Sequence, residues 1–149
     1  MAERYFDASN QIAGRLASVA AKQLLNGDSV FIINAEKAVV SGDRVYTENL
    51  FKEKHDRGDM YHGPFYPREP EKMLGRMIRG MLPFHTARGK EAFRRLRVYK
   101  SVPAELKGRK FEKPAAEGRR RAADAAGRLG SKRMEIGEIS VKLGAKKLW

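Results

Sequence analysis

The sequence predicts an α/β domain followed by a basic C-terminal extension. Apolar strand patterns at Tyr5-Phe6 and at residues 29–34 (SVFIIN) flank a helical pattern at residues 14–25 (GRLASVAAKQLL). A continuous apolar run is typical of a strand that is covered on both faces, and the strand–helix–strand order predicts a right-handed parallel unit. The charge is uneven: residues 1–67 hold 8 basic and 9 acidic side chains, whereas residues 68–149 hold 23 and 9.

Further elements of the first half follow from shorter patterns. Residues 38–40 predict a brief strand, and residues 44–54 predict a helix whose weaker apolar contacts are Val45, Leu50 and Phe51. Residues 55–70 are dense in glycine, proline and aromatic side chains, which indicates a loop.

The central pattern is an amphipathic helix at residues 69–82. At about 100° per residue, its apolar side chains fall on one side and its cations on the other. The apolar side holds Met73, Leu74, Met77, Ile78, Met81 and Leu82, and the opposite side holds Lys72, Arg76 and Arg79, with Arg68 extending the row. We expect a helix that docks by its apolar side and presents a fixed row of cations.

The chain divides into three predicted regions. Residues 1–103 form the α/β core domain, which ends with a short helix near residues 89–95 and a strand around Leu96, Val98 and Tyr99. Residues 104–133 form a basic arm, expected to be extended or to become helical on binding. Residues 134–149 form a short helix ended by Gly144, with Leu148 and Trp149 as an apolar anchor.

Clustered cations in the second half predict nucleic-acid binding. Residues 68–149 carry a net charge of +14, and their self-repulsion opposes compaction unless an anionic partner neutralises it. Neutralised phosphates also release condensed counterions. The candidate RNA-binding residues are Arg68, Lys72, Arg76, Arg79, Arg88, Lys90, Arg94, Arg95, Arg97, Lys107, Arg109, Lys110, Arg119, Arg120 and Arg121.

Aromatic side chains precede the basic helix and offer candidate surfaces for base stacking. These are Tyr61, His62, Phe65 and Tyr66. Aromatic residues beside glycine and proline also serve as plugs that pack a loop onto its domain, and both interpretations stand at this stage.

Catalytic, metal-binding and membrane functions find little support. There are no cysteines, and the three histidines have no pair at ligand spacing. Asp7, Glu36 and Asp43 lie near strand ends, where a metal-dependent nuclease could hold its ion, but Asp7 and Asp43 also suit a turn and a helix cap. No spanning segment or signal peptide is recognisable. We therefore expect a cytoplasmic non-enzyme with no cofactor, no metal, no membrane and no small-molecule substrate.

Several motifs occur in an order that resembles the universal L-thirteen family of large-subunit ribosomal proteins. They are Asp7-Ala8, GRLAS at residues 14–18, Asn34-Ala-Glu, Ser41-Gly42, His62-Gly-Pro64, Ile78-Arg-Gly-Met-Leu-Pro83 and Leu96-Arg-Val-Tyr99 with Pro103. Ser101 stands where the family's closing pattern has glycine. The ending IGEISVKLGAKKLW resembles the archaeal branch of that family.

The resemblance implies a three-layer α/β/α domain on a four-stranded, mainly parallel sheet. It also implies a structural role in the large ribosomal subunit, with binding of ribosomal RNA, support of assembly and contacts to neighbouring ribosomal proteins. Two rival interpretations remain open: a metal-dependent nuclease and a nonspecific nucleic-acid packaging protein.

Overall fold

The computed structural model describes residues 2–113 and 129–149. Its strands are β1 (Glu3–Asp7), β2 (Ser29–Ile33), β3 (Val39–Ser41), β4 (Leu96–Val98) and β5 (Arg133–Glu135). Its helices are α1 (Ala13–Leu25), α2 (Arg44–Asp56), α3 (Pro70–Gly80), α4 (Ala87–Arg94) and α5 (Ile136–Lys142). Short 3-10 turns occupy Ala35–Lys37 and Ala104–Leu106. The helices and strands of the core domain were therefore predicted at nearly these positions.

Three parallel strands form the main sheet in the order β1-β2-β4. Tyr5 lies opposite Phe31 in the β1–β2 pair, and Val30 lies opposite Leu96 in the β2–β4 pair. The parallel strand–helix–strand unit is thus confirmed. β2 is the central strand, and its Val30 and Ile32 are fully buried. β1 and β4 form the two edges of the sheet.

The four-stranded sheet implied by the family resemblance is not what the described residues form. β3 pairs with β5 in a separate antiparallel ribbon, in which Val39 lies opposite Glu135. Asn34 adopts a left-handed conformation (φ 54°) and leads into the 3-10 turn, so the chain leaves β2 in a new direction. A single parallel bridge between Ile12 and Val39 then links β3 to the start of α1. The three-layer arrangement stays a prediction.

Helix α3 lies at the centre of the packing. It contacts α1, β4, α5 and the turn at Ala35–Lys37. Its first residue is Pro70, a position where the missing N–H costs no helical hydrogen bond. Met73, Leu74 and Ile78 are fully buried, as the periodicity predicts.

Two residues that were predicted to contact the core are exposed. Met81 is 45% exposed because α3 ends at Gly80 and Met81 is only its C-cap. Val45 is 66% exposed because α2 buries just Thr47 and Phe51.

Residues after β4 return to the core at two places. Glu112 pairs with β1, where its N–H donates to the Tyr5 carbonyl (2.9 Å) and its carbonyl accepts from Asp7 (3.1 Å). Near the C-terminus, a Cβ added at Gly137 would lie 3.3 Å from Nε1 of Trp149. Trp149 therefore packs on α5, whereas Leu148 is 69% exposed.

A tight turn joins α3 to α4. The Thr86 hydroxyl donates to the Pro83 carbonyl (2.8 Å) and accepts from the Gly89 N–H (3.2 Å), which caps α4. A Cβ at Gly89 would lie 2.1 Å from the Pro83 carbonyl oxygen. The absence of a Cβ at Gly89 therefore allows the first helical turn of α4 to pack directly on Pro83 in the connection between α3 and α4.

Asp7 joins the ends of β1 and β2. Its Oδ1 accepts hydrogen bonds from Asn34 Nδ2 (3.0 Å), Ser9 N–H (3.0 Å) and the Ser9 hydroxyl (2.8 Å). Burial alone would raise the pKa of Asp7, but the hydrogen bonds from Asn34 and Ser9 favour the carboxylate and hold that pKa below its usual range.

We predict that Ile78→Ala lowers the free energy of unfolding by about 2–5 kcal/mol, because it opens a cavity in a fully buried site. Met81→Ala, which removes a largely exposed side chain from the same segment, should cost much less. Urea unfolding of both variants measures the difference. Equal losses would mean that the assigned inner face of α3 is incorrect.

We predict that Gly89→Ala destabilises the fold by about 1–3 kcal/mol, because the new methyl group meets backbone that cannot move independently. The matched control is Gly80→Ala, since within the described residues no heavy atom outside the helix backbone and the two chain neighbours lies within 4 Å of a Cβ at Gly80. That change should be neutral or stabilise α3 by up to about 1 kcal/mol. Thermal unfolding of both variants tests the α3–α4 packing, and a stable Gly89→Ala protein would contradict it.

We predict that Asp7→Asn costs about 1–2 kcal/mol at about pH 7, since it replaces charge-assisted hydrogen bonds with neutral ones. The folded pKa of Asp7 lies below the unfolded value of about 3.9, so this contribution is complete well above that value. It is lost as the pH falls through about 3.9 towards the folded pKa. Urea unfolding across this range should show a smaller acid-induced loss in the variant, and identical pH profiles would rule out the role of Asp7.

Candidate nucleic-acid interface

A groove of about 510 Å³ runs between α3 and β4 and concentrates the predicted cations. Docking of the apolar face of α3 turns the opposite face towards this groove. Arg76 and Arg79 line it from α3, Arg97 lines it from β4, and Phe65 and Phe93 add aromatic walls. The structure thus brings together arginines from two of the predicted clusters.

Arg76 is held in place by the loop before α3. Its Nη1 donates to the Phe65 carbonyl (2.7 Å), and its guanidinium lies 5.0 Å from the ring centroid of Tyr66. Tyr66 in turn packs edge-on against Phe51 of α2, with ring centroids 5.9 Å apart. Burial raises the pKa of the Tyr66 hydroxyl, whereas the nearby positive charge of Arg76 lowers it less. A rotamer fixed in this way loses less entropy when it binds a phosphate.

Arg79 is supported by aromatic stacking. Its guanidinium lies 4.0 Å from the ring centroid of Phe84, and Phe84 packs edge-on against Phe93 (5.6 Å between centroids). Arg76 and Arg79 also line an adjacent depression of about 380 Å³ that contains His85. Stacking on a ring face leaves the edge of a guanidinium free to donate two hydrogen bonds to one phosphate.

The cations of α4 and β4 divide into two groups according to the direction of their side chains. Lys90, Arg94 and Arg97 are exposed, with Arg97 Nη1 donating to the carbonyls of Arg94 (2.9 Å) and Leu96 (3.1 Å). Arg88 and Arg95 instead point to the C-terminal end of α1.

Arg88 and Arg95 have a structural role that the sequence did not predict. Nη2 of Arg95 donates to the Leu24 carbonyl (2.9 Å), and Nη2 of Arg88 donates to the Leu25 carbonyl (3.3 Å). Cations stabilise the negative end of a helix. RNA contact by these two arginines stays a prediction.

The two cations at the start of α3 have side-chain partners close by. Lys72 forms an exposed ion pair with Glu69 (2.6 Å), and hydrogen bonding to Glu69 raises the pKa of Lys72. Arg68 Nε donates to Nε2 of His55 (2.8 Å), and its RNA contact stays a prediction. Such surface pairs are weak and can be exchanged for phosphate.

The cluster Lys107, Arg109 and Lys110 lies at the other edge of the sheet. Arg109 sits 5.3 Å from the ring centroid of Tyr5 in β1, and Phe111 packs edge-on against the same ring. All three cations are exposed. Because β2 separates β1 from β4, this cluster does not join the groove. Arg119, Arg120 and Arg121 lie outside the described residues.

The candidate stacking residues differ in how far they are exposed. Tyr61, His62 and Phe65 are exposed, whereas Tyr66 is a half-buried plug beneath Arg76. Hydrogen bonds from the N–H groups of His62 and Tyr61 lower the pKa of Asp59 and order this turn. Of these residues only Phe65 lines the groove. The loop therefore contains an aromatic plug, Tyr66, and three exposed rings whose base stacking stays a prediction.

The carboxylates considered for a nuclease have structural partners. Asp7 joins two strand ends, Asp43 accepts from the Tyr46 N–H at the start of α2 (3.3 Å), and Glu36 accepts from the Ser101 N–H (3.1 Å). Within residues 2–113 and 129–149, no group of three or more metal-ligating side chains comes together. In the same part of the chain, none of the helices combines the length and apolarity required to cross a bilayer.

Sequence reasoning missed three residues that shape the groove: Phe84, Phe93 and Glu71. Phe84 and Phe93 lie within the basic region that the sequence singled out, so their position among the arginines was a usable signal. Glu71 carries no sequence signal beyond its place in the first turn of α3, where a carboxylate interacts favourably with the positive helix end.

Comparison with known proteins agrees with the motifs. Residues 2–105 match the family described as ribosomal protein L13. Large ribosomal subunit protein uL13 of Archaeoglobus fulgidus is 53% identical over 107 residues, covering 72% of this chain and 69% of the relative. The protein of the same name from Methanosarcina barkeri is 48% identical over 143 residues, covering 94% and 96%.

A third relative, uL13 of Methanopyrus kandleri, is 43% identical over 139 residues, covering 93% of this chain and 84% of that protein. These archaeal relatives confirm the resemblance to the archaeal branch, and their family is structural, which confirms the prediction of a non-enzyme. The chain belongs to the ribosomal protein L13 family.

Proposed function

We propose that this chain is a structural constituent of the large ribosomal subunit that binds ribosomal RNA through the α3–β4 groove. The names of its relatives support a ribosomal role. The observation that carries the RNA site is the pair of guanidiniums of Arg76 and Arg79, each held against an aromatic ring at one groove. Arginines held in this way suit phosphates at fixed spacing.

The proposed mode of recognition is shape rather than sequence along most of the interface. Contacts to phosphate and sugar position a protein on RNA but do not by themselves identify the bases. The exposed cations Lys107, Arg109 and Lys110 at the β1 edge would grip a second RNA segment. We propose that the chain supports assembly by holding two RNA segments on one stiff domain and screening their mutual repulsion.

The remaining partners and the location are part of the same proposal. We infer that the chain acts in ribosomes of the cytoplasm, beside neighbouring large-subunit proteins. The basic arm at residues 104–133 would extend the RNA contacts beyond the core domain. No small-molecule substrate, cofactor or metal is required.

We predict that Arg76→Ala and Arg79→Ala weaken binding to structured fragments of large-subunit ribosomal RNA and flatten its salt dependence. Each lost phosphate contact should reduce the log–log slope by about one. Fluorescence anisotropy between about 50 and 200 mM salt measures both quantities. The charge-matched control is Arg44→Ala, since Arg44 pairs with Glu138 on α5 (2.8 Å) and does not line the groove.

Slopes equal to the wild-type slope in both groove variants would exclude the groove from the interface. Equal affinity for DNA duplexes, transfer RNA and ribosomal RNA fragments would favour the packaging protein. Divalent-dependent cleavage of the RNA, lost in Asp7 or Glu36 variants, would favour the nuclease.

A further inference from the structure

One carboxylate lies in the α3–β4 groove, and phosphate binding does not explain it. Glu71 lines the groove beside Lys72, Arg76 and Arg79. A carboxylate repels phosphate, so its presence among the arginines requires another reason. It is the one acidic side chain among the described residues that line this groove.

The hydrogen-bonding capacity of Glu71 is largely unused. Its Oε2 is buried and accepts no hydrogen bond from the described residues. Its Oε1 lies 4.0 Å from Nζ of Lys100, the outer limit for an ion pair. Buried carboxylate oxygens without donors are costly, so a rotation of the Glu71 side chain that brings Oε2 to N–H donors of a ligand in the groove would be favoured.

The groove also has the size and walls for one nucleobase. Its volume of about 510 Å³ falls within the usual range for small-ligand sites. Phe65 is 67% exposed at one side, and Phe93 lies at another. Gly75 leaves the helical wall without a side chain between Glu71 and Arg79. Aromatic faces of this kind stack on unpaired bases.

We propose that the groove receives one unpaired guanine nucleotide of RNA, whose N1–H and N2–H groups donate to the carboxylate of Glu71. Arg76, Arg79 and Arg97 then hold the flanking phosphates. This inference rests on the proposed function and names the base that the groove selects.

Guanine is selected by the chemistry of the carboxylate, which only accepts hydrogen bonds. The Watson–Crick edge of guanine carries two adjacent N–H donors, one for each carboxylate oxygen. Uracil offers one N–H between two carbonyl oxygens, and adenine and cytosine each offer an amino group beside an unprotonated ring nitrogen. In these three bases, acceptor atoms face the carboxylate and repel it.

A purely structural role for Glu71 makes a different prediction. A carboxylate in the first turn of a helix interacts favourably with the helix dipole. Removing it for that reason alone would lower the melting temperature and leave base preference unchanged.

The test uses the full chain and RNA hairpins that differ only in one bulged nucleotide: guanine, inosine, 2-aminopurine or uracil. Inosine lacks the N2 amino group, and 2-aminopurine lacks the N1–H. We expect the guanine hairpin to bind about 5- to 150-fold more tightly than the uracil hairpin, the ratio typical of a paired set of base contacts. Inosine and 2-aminopurine should lie between them.

Two variants at the start of α3 distinguish base binding by Glu71 from a purely structural role. Glu71→Gln should abolish the preference for guanine and leave affinity for the uracil hairpin equal or tighter, because one repulsive charge is gone. Glu69→Gln is the matched control, since Glu69 pairs with Lys72 and lies outside this groove. It should keep the wild-type preference.

Equal affinity for the four hairpins, or a guanine preference that survives in Glu71→Gln, would overturn this inference. In either case the salt dependence and its loss in Arg76→Ala and Arg79→Ala would leave the proposed RNA site standing. If no hairpin binds with salt-dependent affinity, both proposals fail.

Discussion

Burial of one face of α3 is the constraint on which the rest of this molecule depends. The helix is enclosed by α1, β4, α5 and the turn at Ala35–Lys37. Rotating it would expose Met73, Leu74 and Ile78, each worth about 1.5–3 kcal/mol when buried. The arginines on the opposite face therefore have a fixed direction, and the same packing that stabilises the core forms the groove beside β4.

The partners of the cations explain why a strong positive field survives folding. On the side of α2 and α5, charges neutralise one another in the pairs Arg44–Glu138 and Lys142–Glu48. Around the groove, guanidiniums mainly contact carbonyl oxygens and aromatic rings, which orient them without cancelling their charge. The surface around α2 and α5 and the surface around the groove thus differ in how their charge is compensated. A surface built this way attracts a polyanion and meets it with side chains that are already ordered.

Periodicity predicted what local sequence determines: α1, α3, the parallel β1–β2 pair and the inner face of α3 except Met81. It could not predict the β3–β5 ribbon, because two three-residue strands more than ninety positions apart carry little local signal. Nor could it separate Arg95, which binds the end of α1, from Arg97, which lines the groove two residues later. Ser101 is instructive as well: its left-handed conformation (φ 55°) accounts for glycine in the family pattern, and its N–H donates to the buried Glu36.

Ultraviolet cross-linking of intact large subunits, followed by mass spectrometry of the cross-linked peptides, tests the central claim most directly. The account predicts RNA adducts on groove aromatics, Phe65 and Phe93, and none on Tyr46, which is 66% exposed on α2. Adducts concentrated on the α2 surface, with the groove unmodified, would contradict it.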